Sequence, residues 1–191
     1  MKLILASSSP RRQAYLKDLG IAFRRVSPDV DERRRRAESP RAYVRRLAVE
    51  KASVVSERYP RSWVVSADTT VVVDKRVLGK PRNPAEARKM LRKLSGRSHR
   101  VLSGIALVHR AESVVRSAVS STRVFIRRLS DDEIRWYVST GEPLDKAGAY
   151  GAQGKGGLLV ARVEGSFSNV VGFPLEKFYE LLKACGLSLL R

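Results

Sequence analysis

Short apolar runs with β character alternate with segments of helical periodicity along the whole 191-residue chain, and no low-complexity linker or internal repeat separates them. Such alternation calls for helices packed on a sheet, the α/β solution to burying one face of each element. The first example is the sharpest. Lys2-Leu-Ile-Leu-Ala6 reads as a strand and stops at Ser7-Ser-Ser-Pro-Arg-Arg12, which opens a helix over 10–19 that ends at Gly20. Proline suits the first helical position because its missing N–H has no intrahelical partner there, and Ser9 is placed to cap that helix.

Residues 22–26 read as a second strand, followed by a polar stretch over 27–38. From Pro40 to about Glu57 apolar residues recur at helical spacing. Trp63 to Val73 is a β-branched strand region interrupted by Asp68, and residues 84–94 form a further helix. The segments 99–109 and 113–128 suggest an antiparallel pair about a turn near Arg110–Glu112. Ser130 and Glu133 form a capping box for a helix that ends near Gly141. A glycine-rich stretch over 141–157 leads to a strand at 158–163, and a last helix runs from Pro174 to Ala184. The sum is a single α/β domain over 1–191 with a mixed, twisted central sheet flanked by helices.

Composition removes several classes of function. No run approaches the roughly 18 apolar residues of a membrane span. One cysteine, Cys185, precludes an intramolecular disulfide framework and fits a reducing, cytoplasmic setting. With His99 and His109 the only histidines, a histidine-rich zinc site has no ligands, and a hard cation on carboxylates is the better expectation for any metal. The charge is unusual: 38 Lys and Arg against 19 Asp and Glu give +19. That balance attracts polyanions and raises nucleic-acid binding as a partner class. Yet the basic residues are scattered, with Arg33-Arg-Arg-Arg36 the one dense block, and no recognised nucleic-acid motif accompanies them.

Several residues are placed to do chemistry. The hydroxyls of Ser7 to Ser9 and the guanidiniums of Arg11 and Arg12, at a helix N-terminus, form a candidate phosphate cradle; an ordinary capped helix has the same pattern. Asp68 sits in a strand suited to burial, so a cation, backbone N–H donors or a metal must stabilise it; it can then accept a proton from water. Asp31 and Glu32 can ligate Mg²⁺ or Mn²⁺, or simply neutralise the arginines that follow. Lys51 lies on the apolar side of its helix, where its stem snorkels or its ammonium meets phosphate. Gly79-Lys80-Pro81 holds a lysine in a tight loop. Gln153, inside the glycine-rich stretch, has donors and an acceptor suited to a base edge, although that stretch also reads as a long flexible loop.

Taken in order, these pieces form a pattern. Ser7-x-Ser-Pro-Arg-Arg12, Asp31-Glu32, Glu50-Lys51-Ala52, Ser66-Ala-Asp-Thr69, Gly79-Lys80-Pro81 and Leu94-Ser-Gly96 are followed by Pro143-Leu-Asp-Lys-Ala-Gly-Ala-Tyr-Gly151, Gln153-Gly and Val171-Gly-Phe-Pro174. From end to end the chain resembles the Maf family of nucleoside triphosphate pyrophosphatases. The resemblance implies a fold related to the inosine triphosphate pyrophosphatases, with a nucleotide cleft beside a long bent sheet. It also implies metal-dependent hydrolysis between the α and β phosphates, Mg²⁺ or Mn²⁺ as cofactor, and a homodimer. Of the family's branches the chain resembles the one acting on dTTP and UTP. Arg11 stands where the 7-methyl-GTP branch carries tryptophan, and Gln153 where that branch tends to have glutamate. The resemblance makes Arg11, Thr69 and Gln153 specificity positions and Asp68 the proton acceptor. It assigns Ser7, Ser9, Arg12, Lys51 and Lys80 to the substrate, with Glu32 and Asp68 organising the metal. The alternatives are the same chemistry on 7-methyl-GTP, or a non-catalytic basic module that binds nucleic acid.

Overall fold

The computed structural model describes residues 2–189. Seven strands form one mixed sheet: β1 (Leu3–Ala6), β2 (Phe23–Val26), β3 (Trp63–Val73), β4 (Arg76–Leu78), β5 (Ser98–His109), β6 (Val114–Ile126) and β7 (Val160–Glu164). Their order is β2-β1-β3-β5-β6-β7, with β4 on β3. β1 pairs in parallel with β2 and β3, whereas β3–β4 and β6–β7 are antiparallel. The helices are α1 (Pro10–Asp18), α2 (Pro40–Arg58), α3 (Pro84–Leu94), α4 (Asp131–Ser139), α5 (Phe167–Val171) and α6 (Leu175–Ala184). Among the described residues no helix is long and apolar enough to cross a membrane.

The chain divides into two compact units. The first holds the residues up to Asp68, Ser103–Ser120 and those from Gly172 on; the second holds Thr69–Leu102 and Ser121–Val171. In the first unit the period of two along a strand sorts the core. Leu3 and Leu5 of β1, Trp63, Val65 and Ala67 of β3, and Ile105 and Leu107 of β5 pack with Leu16 of α1 and Phe178, Leu181 and Leu182 of α6. The alternate residues Ile4, Ala6, Val64, Ala106 and Val108 pack with Ala48, Ala52 and Val55 of α2. Both faces are covered, which is why β1 is apolar at every position rather than at every second one. Small residues let α2 approach closely. A Cβ on Gly104 of β5 would lie 2.1 Å from the carbonyl oxygen of Val44. Ser66 donates its hydroxyl hydrogen to the Ala48 carbonyl.

In the second unit, Val71 and Val73 of β3 pack with Leu91 and Leu94 of α3, Val124 and Ile126 of β6, Ile134 and Tyr137 of α4, and Leu159. The capping box forms as expected, with Ser130 and Glu133 each accepting from the other's backbone N–H.

Three expectations need correction, and one helix is new. Asp68 does not interrupt β3, which runs unbroken from Trp63 to Val73. Ser9 occupies the N-cap of α1 without a side-chain capping bond; Ser7 Oγ instead accepts the Ser9 N–H at 3.2 Å. The glycine-rich stretch is not a plain loop but a run of 3₁₀ turns at Glu142–Asp145, Ala147–Ala149 and Gly154–Leu159. α5 has no counterpart in the sequence reading.

The stretch between β2 and α2 has no regular structure of its own. It is fastened to α2 through Arg46, whose guanidinium donates to both oxygens of Glu38, at 2.7 and 2.9 Å, and to the Arg33 carbonyl at 3.1 Å. Those bonds hold the Glu38 carboxyl down at about 2, against an ordinary value of 4.5. A carboxyl depressed by folding stabilises the fold above its unfolded value and loses that contribution as pH falls through the folded one. Glu38→Gln is therefore expected to flatten the fall in thermal midpoint between about pH 5 and about pH 2; an unchanged acid limb would show that the fork is not holding the segment. Gly104→Ala forces α2 away from the sheet and is expected to cost about 2–3 kcal/mol in urea unfolding, whereas an unaltered midpoint would mean that the helix does not rest on that glycine.

Candidate active site

Alternation along β3 decides where Asp68 points. Val64 packs toward α2 and Ser66 bonds to its backbone, so Asp68 faces the same helix. α2 presents Leu47, Ala48, Lys51, Ala52 and Val55 as its buried stripe, and helical spacing therefore sets Lys51 opposite the carboxylate. The Lys51 ammonium lies 2.7 Å from Asp68 Oδ1, with side chains 8% and 11% exposed. The same ammonium reaches Glu32 Oε1 at 2.6 Å, although the Glu32 side chain is 59% exposed. One cation thus bridges two carboxylates, one buried in the sheet and one on a surface segment.

Arg12 completes the group. Its guanidinium donates to Ser7 Oγ at 3.1 Å and to the Gly172 carbonyl at 2.9 Å. Desolvation pushes its pKa down, and the neighbouring Arg11 charge adds to that, while the charges of Asp68 and Glu32 push it back up. Arg12 therefore feels both carboxylates electrostatically. Ser7 is buried, Ser9 opens α1, and Arg11 is half-buried in its first turn. The first unit thus contains Ser7, Ser9, Arg11, Arg12, Glu32, Lys51 and Asp68.

The two adjacent acids separate. Asp31 is taken up by Arg33, which holds its carboxyl down at about 2 through side-chain and backbone hydrogen bonds. It is the charge-neutralising surface pair, while Glu32 is the acid turned to Lys51. The phenol of Tyr43 donates to the Glu32 carbonyl at 2.9 Å and is pushed up to about 12, first by burial and then by Asp68 and Glu32. Tyr43 and Arg46 were not singled out from sequence. Their spacing on α2 is visible there, but nothing local marks the segment they bind.

Thr69, Lys80 and Gln153 belong to the second unit. Thr69 follows Asp68 on β3, half-buried. Lys80 is exposed between β4 and α3, in a loop tied to the glycine-rich stretch because the Gly148 N–H donates to the Gly79 carbonyl at 3.0 Å. Gly148 must be glycine: it has φ 71°, and a Cβ there would sit 2.9 Å from Val71 Cγ2. Gln153 is exposed at the start of the third 3₁₀ turn. Glu142 organises that turn, accepting from Tyr137 Oη at 2.9 Å and from the N–H groups of Lys155 and Gly156 at 3.1 Å each. Asp145 and Lys146 form an ordinary ion pair at 2.6 Å.

Among the described residues no three His, Cys, Asp or Glu side chains gather as a metal cage. Glu32 and Asp68 offer two hard carboxylates held together by one ammonium. That donor set fits a Mg²⁺ or Mn²⁺ whose remaining ligands are phosphate oxygens and water.

A family model described as Maf-like protein matches residues 2–185. A dTTP/UTP pyrophosphatase of Myxococcus xanthus is 54% identical over 187 residues, covering 98% of this chain and 94% of that protein. Another dTTP/UTP pyrophosphatase, from Symbiobacterium thermophilum, is 53% identical over 185 residues, covering 97% and 94%. Among solved structures, the Ham1 protein of Staphylococcus aureus aligns with a TM-score of 0.57 over 97% of each chain at 14% identity, a likeness of fold alone. With a family match over residues 2–185 and relatives above half identity, this chain belongs to the Maf-like protein family.

Proposed function

We propose that this protein hydrolyses dTTP and UTP between the α and β phosphates, giving the nucleoside monophosphate and pyrophosphate. The names of its relatives support the substrate, and one observation carries the chemistry: Asp68, buried in β3, is held by Lys51 in company with Glu32. A binding module for phosphates alone gains nothing from two carboxylates beside its cations. The arginine block makes contacts of its own at the surface, Arg33 with Asp31, Arg34 with the Glu38 carbonyl and Arg35 with Glu50. On the hydrolase reading any nucleic-acid binding is incidental to the overall charge.

In the proposed reaction Asp68 accepts the proton of the attacking water. Arg12 and Lys51 donate to phosphate oxygens and stabilise the charge that grows as the bridging bond breaks. Lys51 has a flexible stem and three N–H donors, so it can give one to phosphate while retaining a carboxylate. Ser7 orients the Arg12 fork, and Ser9 lies at the α1 terminus where N–H groups face an anion. Glu32 and Asp68 would hold a divalent ion, which when bound neutralises and orients the phosphates. On family likeness we assign Lys80 to phosphate, and Arg11, Thr69 and Gln153 to choice of base. The same likeness supports a single functional domain over 1–191, a homodimer and a cytoplasmic location.

Pyrophosphate release from dTTP, UTP, CTP, GTP, 7-methyl-GTP and ITP, with Mg²⁺ or Mn²⁺, tests the proposal. Turnover of dTTP and UTP is expected, with Asp68→Asn lowering kcat by about a hundredfold or more. No turnover with either metal, or an unaffected Asp68→Asn protein, would sink it. Substituting Arg11, Thr69 or Gln153 by alanine is expected to lower kcat/KM for dTTP and UTP about tenfold. A preference for 7-methyl-GTP in the unaltered protein would keep the chemistry and remove those three assignments.

A further inference from the structure

Glu32 is placed by something other than packing. Its side chain is 59% exposed and its backbone lies outside any helix or strand, yet its carboxylate sits 2.6 Å from a buried ammonium. The fixation comes from α2. Tyr43 Oη donates to the Glu32 carbonyl at 2.9 Å. Three residues on, Arg46 sends its planar fork to three places: both oxygens of Glu38, the Arg33 carbonyl, and Glu50 Oε2 at 2.9 Å. Glu50 in turn holds Arg35 at 3.0 Å, and the Arg35 N–H donates to Glu38 Oε2 at 3.1 Å. Both ends of the 32–38 segment are therefore fastened to one helix.

This is unlike a common surface ion pair, which holds two long side chains at little net gain. The Arg46 and Glu38 side chains are only 14% and 9% exposed, and the contact is bidentate. Arg46 also lies over the Tyr43 ring, 5.7 Å from its centroid, so the two attachments support each other. A lysine has one charged atom and no fork, and could not serve the carboxylate, the carbonyl and Glu50 together. Positions 43, 46 and 50 are spaced to share one side of α2, next to the stripe that carries Lys51. The helix that delivers the cation also delivers its second carboxylate.

We propose that Arg46 is a positioning residue: by clamping the 32–38 segment to α2, with Tyr43, it sets Glu32 on Lys51 beside Asp68. The effect on turnover rests on the pyrophosphatase reading above, but the clamp itself can be tested without activity.

Two measurements on the full chain do this. Zero-length carbodiimide coupling, read by mass spectrometry, reports whether the Glu32 carboxylate lies against the Lys51 ammonium. Arg46→Met is expected to lower the Glu32–Lys51 yield at least about fivefold, with the Asp68–Lys51 yield retained. For dTTP turnover, Arg46→Met is expected to lower kcat about tenfold to a hundredfold, and to have no further effect when Glu32→Gln is already present. A structural role alone would cost the same factor in both backgrounds, and that result, or an unchanged Glu32–Lys51 yield, would overturn the proposal. Should Arg46→Met fail to fold, Tyr43→Phe removes a single hydroxyl; a smaller loss that also vanishes in the Glu32→Gln background is expected, and a loss that persists there would overturn the clamp. If the unaltered protein turns over no nucleotide, the pyrophosphatase reading fails, while the cross-linking yields still decide the clamp.

Discussion

An ammonium sunk among apolar residues has to find negative charge, and an aspartate inside a strand has to find positive charge. In this chain each requirement is met by the other. Lys51 comes from the stripe of α2 that packs on the sheet, and Asp68 from the alternate positions of β3 that face that helix. The contact depends on how closely α2 lies on the strands, which in turn depends on Ala48, Ala52, Ala106 and a Gly104 with no room for a Cβ. Truncating Lys51 would leave Asp68 buried without its ammonium, a cost of about 3–5 kcal/mol, whereas truncating Asp68 leaves Lys51 still paired with Glu32. The pair explains why β3 passes through an acidic residue without breaking. A second carboxylate, Glu32, adds a negative charge beyond the one that the ammonium requires.

The net charge of +19 already sets every acid against a base, so it stands as an excess over all the ion pairs of the fold. The densest basic block makes its contacts at the surface: Arg33 with Asp31, Arg34 with the Glu38 carbonyl, Arg35 with Glu50. Tyr43 and Arg46 show how a polar segment without a strand or helix stays in place, by fastening to the side of α2 that the core does not use. A carboxylate proposed to hold a metal ion has to be accessible and fixed at once. Packing would bury it; the guanidinium fork and the Tyr43 hydroxyl leave its carboxylate exposed.

Features written in local chemistry were legible in the sequence. β1, α1, α2, α3, the capping box at Ser130 and the acid at Asp68 all rest on period, proline and cap signals that act over a few residues. The β character of 63–73 was legible as well, but the cation opposite Asp68 was not: Lys51 and Asp68 are 17 residues apart and meet only through the register of α2 on the sheet. Without that partner, Asp68 read as a break. Asp31 and Glu32 were indistinguishable as neighbours, because their separate fates are decided by Arg33 and Lys51. Ser9 read as a cap, yet the Ser7 hydroxyl serves the backbone there. The glycine-rich stretch read as loose because its order comes from Glu142, a single side chain binding backbone far along the chain.

The central claim is that the charges around Lys51 receive a triphosphate. A crystal structure with the non-hydrolysable α,β-imido analogue of UTP and Mn²⁺ tests it most directly. The expected result places phosphate oxygens within hydrogen-bond distance of Arg12 and Lys51, and the anomalous signal of manganese against Glu32 and Asp68. A nucleotide bound elsewhere, with Lys51 still closed on both carboxylates and no manganese beside them, would contradict the account.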